Sequence, residues 1–391
     1  MGIFSALKGA TLDNPDDSGF FNFFGGGTPT TTGIKVTPDT ALTCSAVLSC
    51  IRVITEDLAK MPIVLYKRAG DSRERAVNHP IYKLLKRRPN HYQTPFEFKE
   101  LMQSHVLLRG NAYAVIIRDN AGIPISLLPQ DPDVVQMLET DGGEFFYDLG
   151  NGKGIAPSED ILHLRGLSKD GKLGLSLVKL MAESIGLSIA TEKHGATFFG
   201  NGAHPGVTLK HPGKLSKEAK ANIRKDWEDI HRGVDQANRV AVLAEGMEVY
   251  QLGLSNEDSQ FLETRTFQRY EISGFLRVAP HLIGALDNAT FSNIEHQQQF
   301  HASNALHPWC VRWEEKLNNS LLFEDEQDIY YFEYLIDSLV RADFKTRMEG
   351  YSVAIASKIM SPNEARRKEN MSPYEGGDKY ENPNITVTKD K

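Results

Sequence analysis

The chain has 391 residues, enough for two or three domains or for one elaborate fold with an ample core. Its 40% apolar and 24% charged content is ordinary for a globular protein, and a net charge of −7 argues against a broad basic surface that grips nucleic acid. Cys44, Cys50 and Cys310 lack metal-ligand spacing and read as reduced, buried thiols of a cytosolic compartment, and no apolar run nears the roughly 18 residues that span a bilayer.

The opening MGIFSA carries Ala6 where a myristoylation signal needs Ser or Thr, and GFFNFF lacks the basic start and apolar core of a signal peptide. A soluble chain made where it works, with no membrane partner, is expected. Residues 1 to 35 read as a mobile arm, because FFGGGTPTTTG has little to bury. A helix is expected from about Ala41 to Lys60, with Val47, Ile51, Ile54 and Leu58 on one face. MPIVLYKR then reads as a strand. TPFEFKELMQSHVLL opens a helix with Thr94 as N-cap, Pro95 at the first helical position and Glu97 closing a capping box. Beyond Gly110, residues 110 to 167 read as a strand-rich meander with a turn at Asp119 to Gly122.

One long helix is expected from Leu177 to Phe199, ended by Gly200 and Gly202 as a cap. GNG follows a helix, not a strand, and does not match the G-x-G-x-x-G of a dinucleotide loop. A small α/β unit follows at about residues 203 to 252. In it GVTLKH is a strand, Ser216 caps a helix with Ile223, Trp227 and Ile230 inward, and two short strands flank Glu245-Gly246. A second long helix is expected from about Asn256 to Arg277. The stretch VAPHLIGALDNATFSNIEHQQQFH then breaks, with Pro280 and Gly284 ending that helix and Ser292 with Glu295 starting another that runs to about Leu321. DIYYFEYLID reads as a strand, residues 340 to 360 as a helix, and the last twenty or so as frayed. A compact unit inserted between two long helices is a knob on a stalk.

The chemical candidates are thin. His281, His296, His301 and His307 are dense, but within the helix they stand five and six residues apart, where a metal pair wants three or four. Asp131 with Asp133 and Glu159 with Asp160 lie in turn-like contexts where acidic residues are common. No nucleophile elbow, P-loop or Cys–His signature appears. The inserted unit has a local basic excess in Lys210, Lys214, Lys217, Lys220, Arg224, Lys225, Arg232 and Arg239. It reads either as a solvated helix face or as a contact surface for DNA or an acidic partner.

The order of features resembles phage portal proteins of the Hong Kong 97 type. The segments that carry the resemblance are SAVLSCIRVITEDLAKMPIVLYKR, HPIYKLLKRRPNHYQTPFEF, LLRGNAYAVIIRDNAGIPISLLPQDPDVV, DILHLRGLSKDGKLGLS, FFGNGAHPGVTLKH, VAPHLIGALDNATFSNIEHQQQFH and NEARRKENMSP, from about Ser45 to Pro373. His281, Phe291 and His296 depart slightly from the pattern. The resemblance implies an α+β portal fold that assembles into a ring, usually of twelve subunits, around a central channel. It implies a flexible arm at 1–35, a wing at 36–175 and 293–340, and stem helices at 176–202 and 253–279. It further implies a clip at 203–252, a tunnel loop at 280–292, and a crown helix with tail at 341–391. The ring would sit at one capsid vertex of the virion, assembled in the bacterial host cytoplasm. Double-stranded DNA would pass through it, driven by the terminase large subunit and later ejected; the major capsid or scaffold protein and a head-tail adaptor would be further partners. Ala285, Leu286, Asp287, Asn288, Ala289, Thr290 and Phe291 would face DNA from the loop. Lys210, Lys214, Lys217, Lys220, Arg224, Lys225 and Arg232 would face partners or DNA from the clip. No catalysis, cofactor or metal is expected, since ATP hydrolysis belongs to the motor. An adaptor without DNA conduction, or a metal-dependent hydrolase, are the alternatives.

Overall fold

The computed structural model describes residues 27–70, 72–200, 207–210, 213, 216–231, 248–251, 257–285, 297–336 and 344–380. The chain divides into two compact units, Met1–Leu335 and Ile336–Lys391.

The first unit begins with a hairpin of β1 (Thr28–Pro29) and β2 (Lys35–Val36), paired antiparallel. This corrects the expectation of a mobile arm for its last eight residues. Hydroxyls supply the contacts that composition alone does not show: the Thr31 N–H and hydroxyl donate to Glu183, and the Thr30 hydroxyl donates to the Ile34 carbonyl at 2.7 Å. Residues 1–26 lie outside the described residues.

Thr37 caps a short helix α1 (Pro38–Ala41), and the chain turns before α2 (Ser45–Lys60) begins. The expected single helix from Ala41 is thus two pieces, but its apolar face is as read: Val47, Ile51, Ile54 and Leu58 are all buried. Strands β3 (Ile63–Ala69) and β4 (Ser72–Arg75) follow, then a short helix α3 (Tyr82–Lys86). Helix α4 (Pro95–Arg109) has the full capping box at Thr94 and Glu97, and Gly110 closes it at φ +85°. Only glycine takes that conformation without strain.

The segment read as one meander is two sheets. Strands β5 (Asn111–Arg118) and β6 (Pro124–Gln130) form the expected hairpin, while β7 (Gln136–Glu139), β8 (Phe145–Asp148) and β9 (Ile155–Pro157) make a separate sheet. Strand β10 (Ile161–Arg165) then returns to pair with β5. Tyr113, Val135, Tyr147, Leu149 and Ile161 form one apolar cluster across the two sheets, and this burial is what keeps the second sheet from continuing the first. His163 joins them from within. Its Nδ1 lies 3.0 Å from the Tyr147 hydroxyl and its Nε2 lies 2.9 Å from Asn111 Oδ1. Asn111 also accepts the Gly174 N–H at 2.7 Å and donates to the Gly174 carbonyl at 3.0 Å, pinning the 166–174 loop to the sheet.

The expected helix from Leu177 breaks at Met181 into α5 (Leu177–Leu180) and α6 (Ala182–Gly200); the proposed glycine cap beyond it lies outside the described residues. The inserted unit contains β11 (Val207–Lys210), α7 (Lys217–His231) and β12 (Glu248–Gln251), with β11 and β12 antiparallel and Val207 opposite Gln251. Chain entry and exit therefore stand side by side. The Ser216 hydroxyl accepts from the Ala219 N–H at 3.1 Å and caps α7. The Glu245-Gly246 turn, and the side chains of Trp227 and Ile230, lie outside the described residues.

Helix α8 (Glu257–Phe275) packs on α6, where Gln268 Nε2 donates to the Thr191 hydroxyl at 3.2 Å and Arg265 pairs with Glu192 at 3.3 Å. Helix α9 (His307–Leu321) and β13 (Tyr330–Tyr334) complete the unit, with β13 joining β3 and β4. Trp313, fully buried, donates its indole N–H to Gln103 Oε1 at 3.0 Å and meets Phe98 edge-on. All three cysteines are buried and free, as read.

In the second unit, α10 (Phe344–Ala356) falls within the expected helix and is followed by α11 (Pro362–Lys368), capped by Ser361 and Glu364. Asn363 is fully buried. Its amide donates to the Tyr374 carbonyl and to Asp378, both at 2.9 Å, and its Oδ1 accepts the Tyr374 N–H at 3.0 Å. The expected fraying is therefore corrected for residues 371–380, which wrap one buried amide; residues 381–391 lie outside the described residues.

Two histidines in the first unit, half-buried His105 and buried His163, make stability depend on pH. Burial, with Arg109 adding to it, pushes the His105 imidazole down to about 4, and burial with Arg165 and Lys316 pushes His163 to about 2. Because these folded values lie below the ordinary value of 6.5, the unfolded chain takes up protons first. Unfolding free energy should fall as pH drops from about 6.5 toward about 4.5. Urea midpoints measured across that window should show a shallower decline in His105→Gln; an identical slope would contradict the assignment.

Candidate functional site

The stretch from Val278 to His301 was singled out for its break between helices, and its two ends are built in detail. Helix α8 ends at Phe275, not at Pro280. Arg277 takes φ +57°, its N–H donates to the Gly274 carbonyl at 3.1 Å, and the Val278 N–H reaches back to the Ser273 carbonyl at 2.9 Å. This bond pair is the Schellman ending, made here with arginine where glycine is usual. Pro280 instead opens a 3-10 turn, Pro280–Ile283, and Gly284 at φ +76° closes it. The Ala285 N–H donates to the Pro280 carbonyl at 3.0 Å, and Arg269 donates to the Ile283 carbonyl at 3.1 Å. Val278, Ala279 and Ala285 are buried, so the first end is fixed by both packing and hydrogen bonds.

The second end starts at Gln297. Its Oε1 lies 2.6 Å from His281 Nδ1, and an amide oxygen can only accept, so His281 carries its proton on Nδ1. This contact ties the two ends of the break together. One turn later His301, itself buried, places Nε2 3.2 Å from Asp57 Oδ2 on α2. Burial would raise the Asp57 carboxyl, but hydrogen bonds from His301 and Lys60 hold it below its ordinary value. Asp57 is thus a carboxylate positioned to receive a donor from His301.

The helix expected from Ser292 to Leu321 is not uniform. His301–Leu306 form a π-helical turn in which the His307 N–H reaches the Ala302 carbonyl five residues back. Pro308 explains it: proline lacks the N–H and its ring collides with the carbonyl four residues earlier, so the preceding turn widens. Ser292, Glu295 and His296 lie outside the described residues.

Of the loop residues, Ala285 sits buried at the first end; Leu286, Asp287, Asn288, Ala289, Thr290 and Phe291 lie outside the described residues. Of the basic set, Lys217, Lys220 and Lys225 are exposed on α7, and Lys210 is exposed opposite Glu248. Lys214, Arg232 and the Arg224 side chain lie outside the described residues. Sequence reading missed Asp57, Arg269 and Gln297 and set aside His281 and His301 as incidental. Asp57 and His301 are 244 residues apart, so no local spacing could reveal the pair. Among the described residues no three His, Cys, Asp or Glu side chains converge as a metal site would need.

The chain matches the family model described as phage portal protein over residues 45–370. It is 33% identical to the probable portal protein of Streptomyces phage phiC31, across 98% of this chain and 89% of that one. It is 29% identical to the portal protein of Enterobacteria phage HK97, across 88% and 82% of the two chains. Its fold is similar to the crystal structure of an HK97-family portal protein from Corynebacterium diphtheriae, with a TM-score of 0.58 and 17% identity over 80% of this chain and 97% of that one. It is also similar to a chain from the neck of a gene transfer agent particle computed with C12 symmetry, with a TM-score of 0.59 and 22% identity over 86% and 92%. The chain belongs to the phage portal protein family, the non-enzymatic subunits of the ring through which DNA passes at a capsid vertex.

Proposed function

We propose that the chain assembles as a ring of twelve and that residues 286–291, beyond the buried Ala285, project into its channel, where they touch passing DNA transiently. The ring number is supported by the fold-level likeness to a chain of a neck with twelvefold symmetry. The observation that carries the loop reading is the pair of anchored ends: His281 to Gln297 and His301 to Asp57 hold the residues that flank the 286–296 segment. Polar, uncharged-to-acidic residues such as Asn288 and Asp287 suit a surface over which phosphates slide. A channel that neutralised even six to ten phosphates would hold DNA strongly and in a salt-dependent way. An acidic subunit repeated around a ring does the opposite.

The wing, stem, clip and crown divisions set out above are part of this reading. So are the partners: the terminase large subunit and head-tail adaptor at the clip, and the major capsid or scaffold protein elsewhere. Basic side chains at Lys210, Lys217, Lys220 and Lys225, with Lys214, Arg224 and Arg232, are the clip's contribution to docking, as rim charges that steer an acidic partner.

Deleting Asp287 to Ala289 should leave ring assembly intact and reduce DNA packaged or retained per particle. Gln297→Leu, which keeps the loop but frees its second end, should give a smaller defect of the same kind. Normal packaging and retention in both variants would overturn the loop assignment. Charge reversal at Lys214 and Arg224 should weaken binding of terminase or adaptor to the assembled ring; unchanged binding to both would count against the clip reading.

A further inference from the structure

Three cations converge where β10 meets α9, and none has a carboxylate partner among the described residues. Arg165 donates to the Gly171 and Lys172 carbonyls, and Arg312 donates to the Gly166 carbonyl at 3.2 Å while lying over the Trp309 ring at 5.7 Å. Lys316 stands one helical turn beyond Arg312, and its ammonium has no hydrogen-bond partner among the described residues. It is half-buried, and burial, with Arg165 adding to it, lowers its ammonium below the ordinary lysine value. A like-charged, partly desolvated cluster of this kind is costly unless something outside supplies negative charge.

The loop beside the cluster is built for contact. The Ser168 hydroxyl donates to the Leu173 carbonyl and accepts from the Gly171 N–H, Asp170 accepts from the Lys172 and Leu173 N–H groups, the Leu175 N–H donates to the Leu167 carbonyl at 2.6 Å, and Asn111 pins Gly174 on both backbone groups. Gly110 and Gly174 approach so closely that a Cβ on Gly174 would lie 1.9 Å from the Gly110 carbonyl oxygen. This rigid loop nevertheless turns Leu167 (57% exposed) and Leu173 (41%) outward. Exposed leucines on a pre-organised loop, flanked by tryptophan and arginine, have the composition of a protein interface; a DNA-binding face would be polar throughout.

We infer that this face, centred on Arg165, Arg312 and Lys316 with Leu167 and Leu173, receives the acidic turn Phe323–Asp325 of an adjacent copy of the chain. Charge and shape classes match: Phe323 is 41% exposed, and Glu324 and Asp325 are exposed with no partner among the described residues. Closing a ring requires one patch to fit a different patch on the neighbour, which is what an apolar-cationic face and an apolar-acidic turn provide. The inference rests on the ring reading and names one contact within it.

The test uses the purified full-length chain, with assembly followed by mass photometry over a concentration series. Arg312→Glu with Lys316→Glu should raise the concentration for half-assembly by roughly 30-fold or more, the scale for breaking a desolvated charge pair. Adding Glu324→Lys and Asp325→Lys to that variant should restore assembly toward wild type. Circular dichroism and thermal unfolding of the monomeric fraction separate an interface defect from misfolding, and Lys316→Gln alone, with a smaller shift, serves if the double reversal does not fold. Rings forming at the wild-type concentration in the reversed variants, or no restoration by the paired reversal, would overturn the inference. A wild-type chain that stays monomeric at every concentration would instead overturn the ring reading itself.

Discussion

Two histidine contacts, about one helical turn apart at the second end, decide what the 286–296 segment can do. His281 meets Gln297 across the break, and His301 meets Asp57 on a helix from the far end of the sequence. Together they tie the residues on either side of the segment to one another and to α2. A hydrogen bond to a charged partner contributes about 1.5–3 kcal/mol, and the His301–Asp57 pair, with its carboxylate held below the ordinary value, is of that kind.

The rest of the first unit serves to place those anchors. Asp57 is held by α2, whose apolar face is buried against α4 and α8. His301 opens the π-helical turn that Pro308 imposes and reaches Asp57 on α2. Trp313 and Gln103 then lock α9 to α4. Under the proposed reading, anchored flanks suit a segment that passing DNA would touch, and low positive charge would let DNA leave it.

Much of this was legible in the sequence, for physical reasons that differ by element. The Thr94–Glu97 capping box, the Asp119–Gly122 turn and the buried face of α2 depend on neighbours within one or two turns, and all appear where spacing placed them. Helix ends were harder. Gly284 drew the eye as the terminator of α8, yet Arg277 occupies the left-handed position, and no propensity rule would choose arginine there. Residues 28–36 looked like a tail because threonine hydroxyls that bond to Glu183 leave no apolar signature. The return of β10 to β5, which splits the meander into two sheets, and the pair joining Asp57 to His301 depend on contacts between distant residues that a single sequence does not encode in its spacing. The histidines attracted attention as a metal site; their role is instead that of two separate pins.

A cryo-electron-microscopy reconstruction of the purified full-length assembly tests the central claim most directly, by locating residues 286–296 relative to the symmetry axis. The account predicts a closed ring with a central opening, with the segment between His281 and Gln297 as the innermost protein density and His301 and Asp57 behind it. A ring whose opening is lined by other residues, with 286–296 on the outer rim, would contradict the account, as would a chain that never closes into a ring.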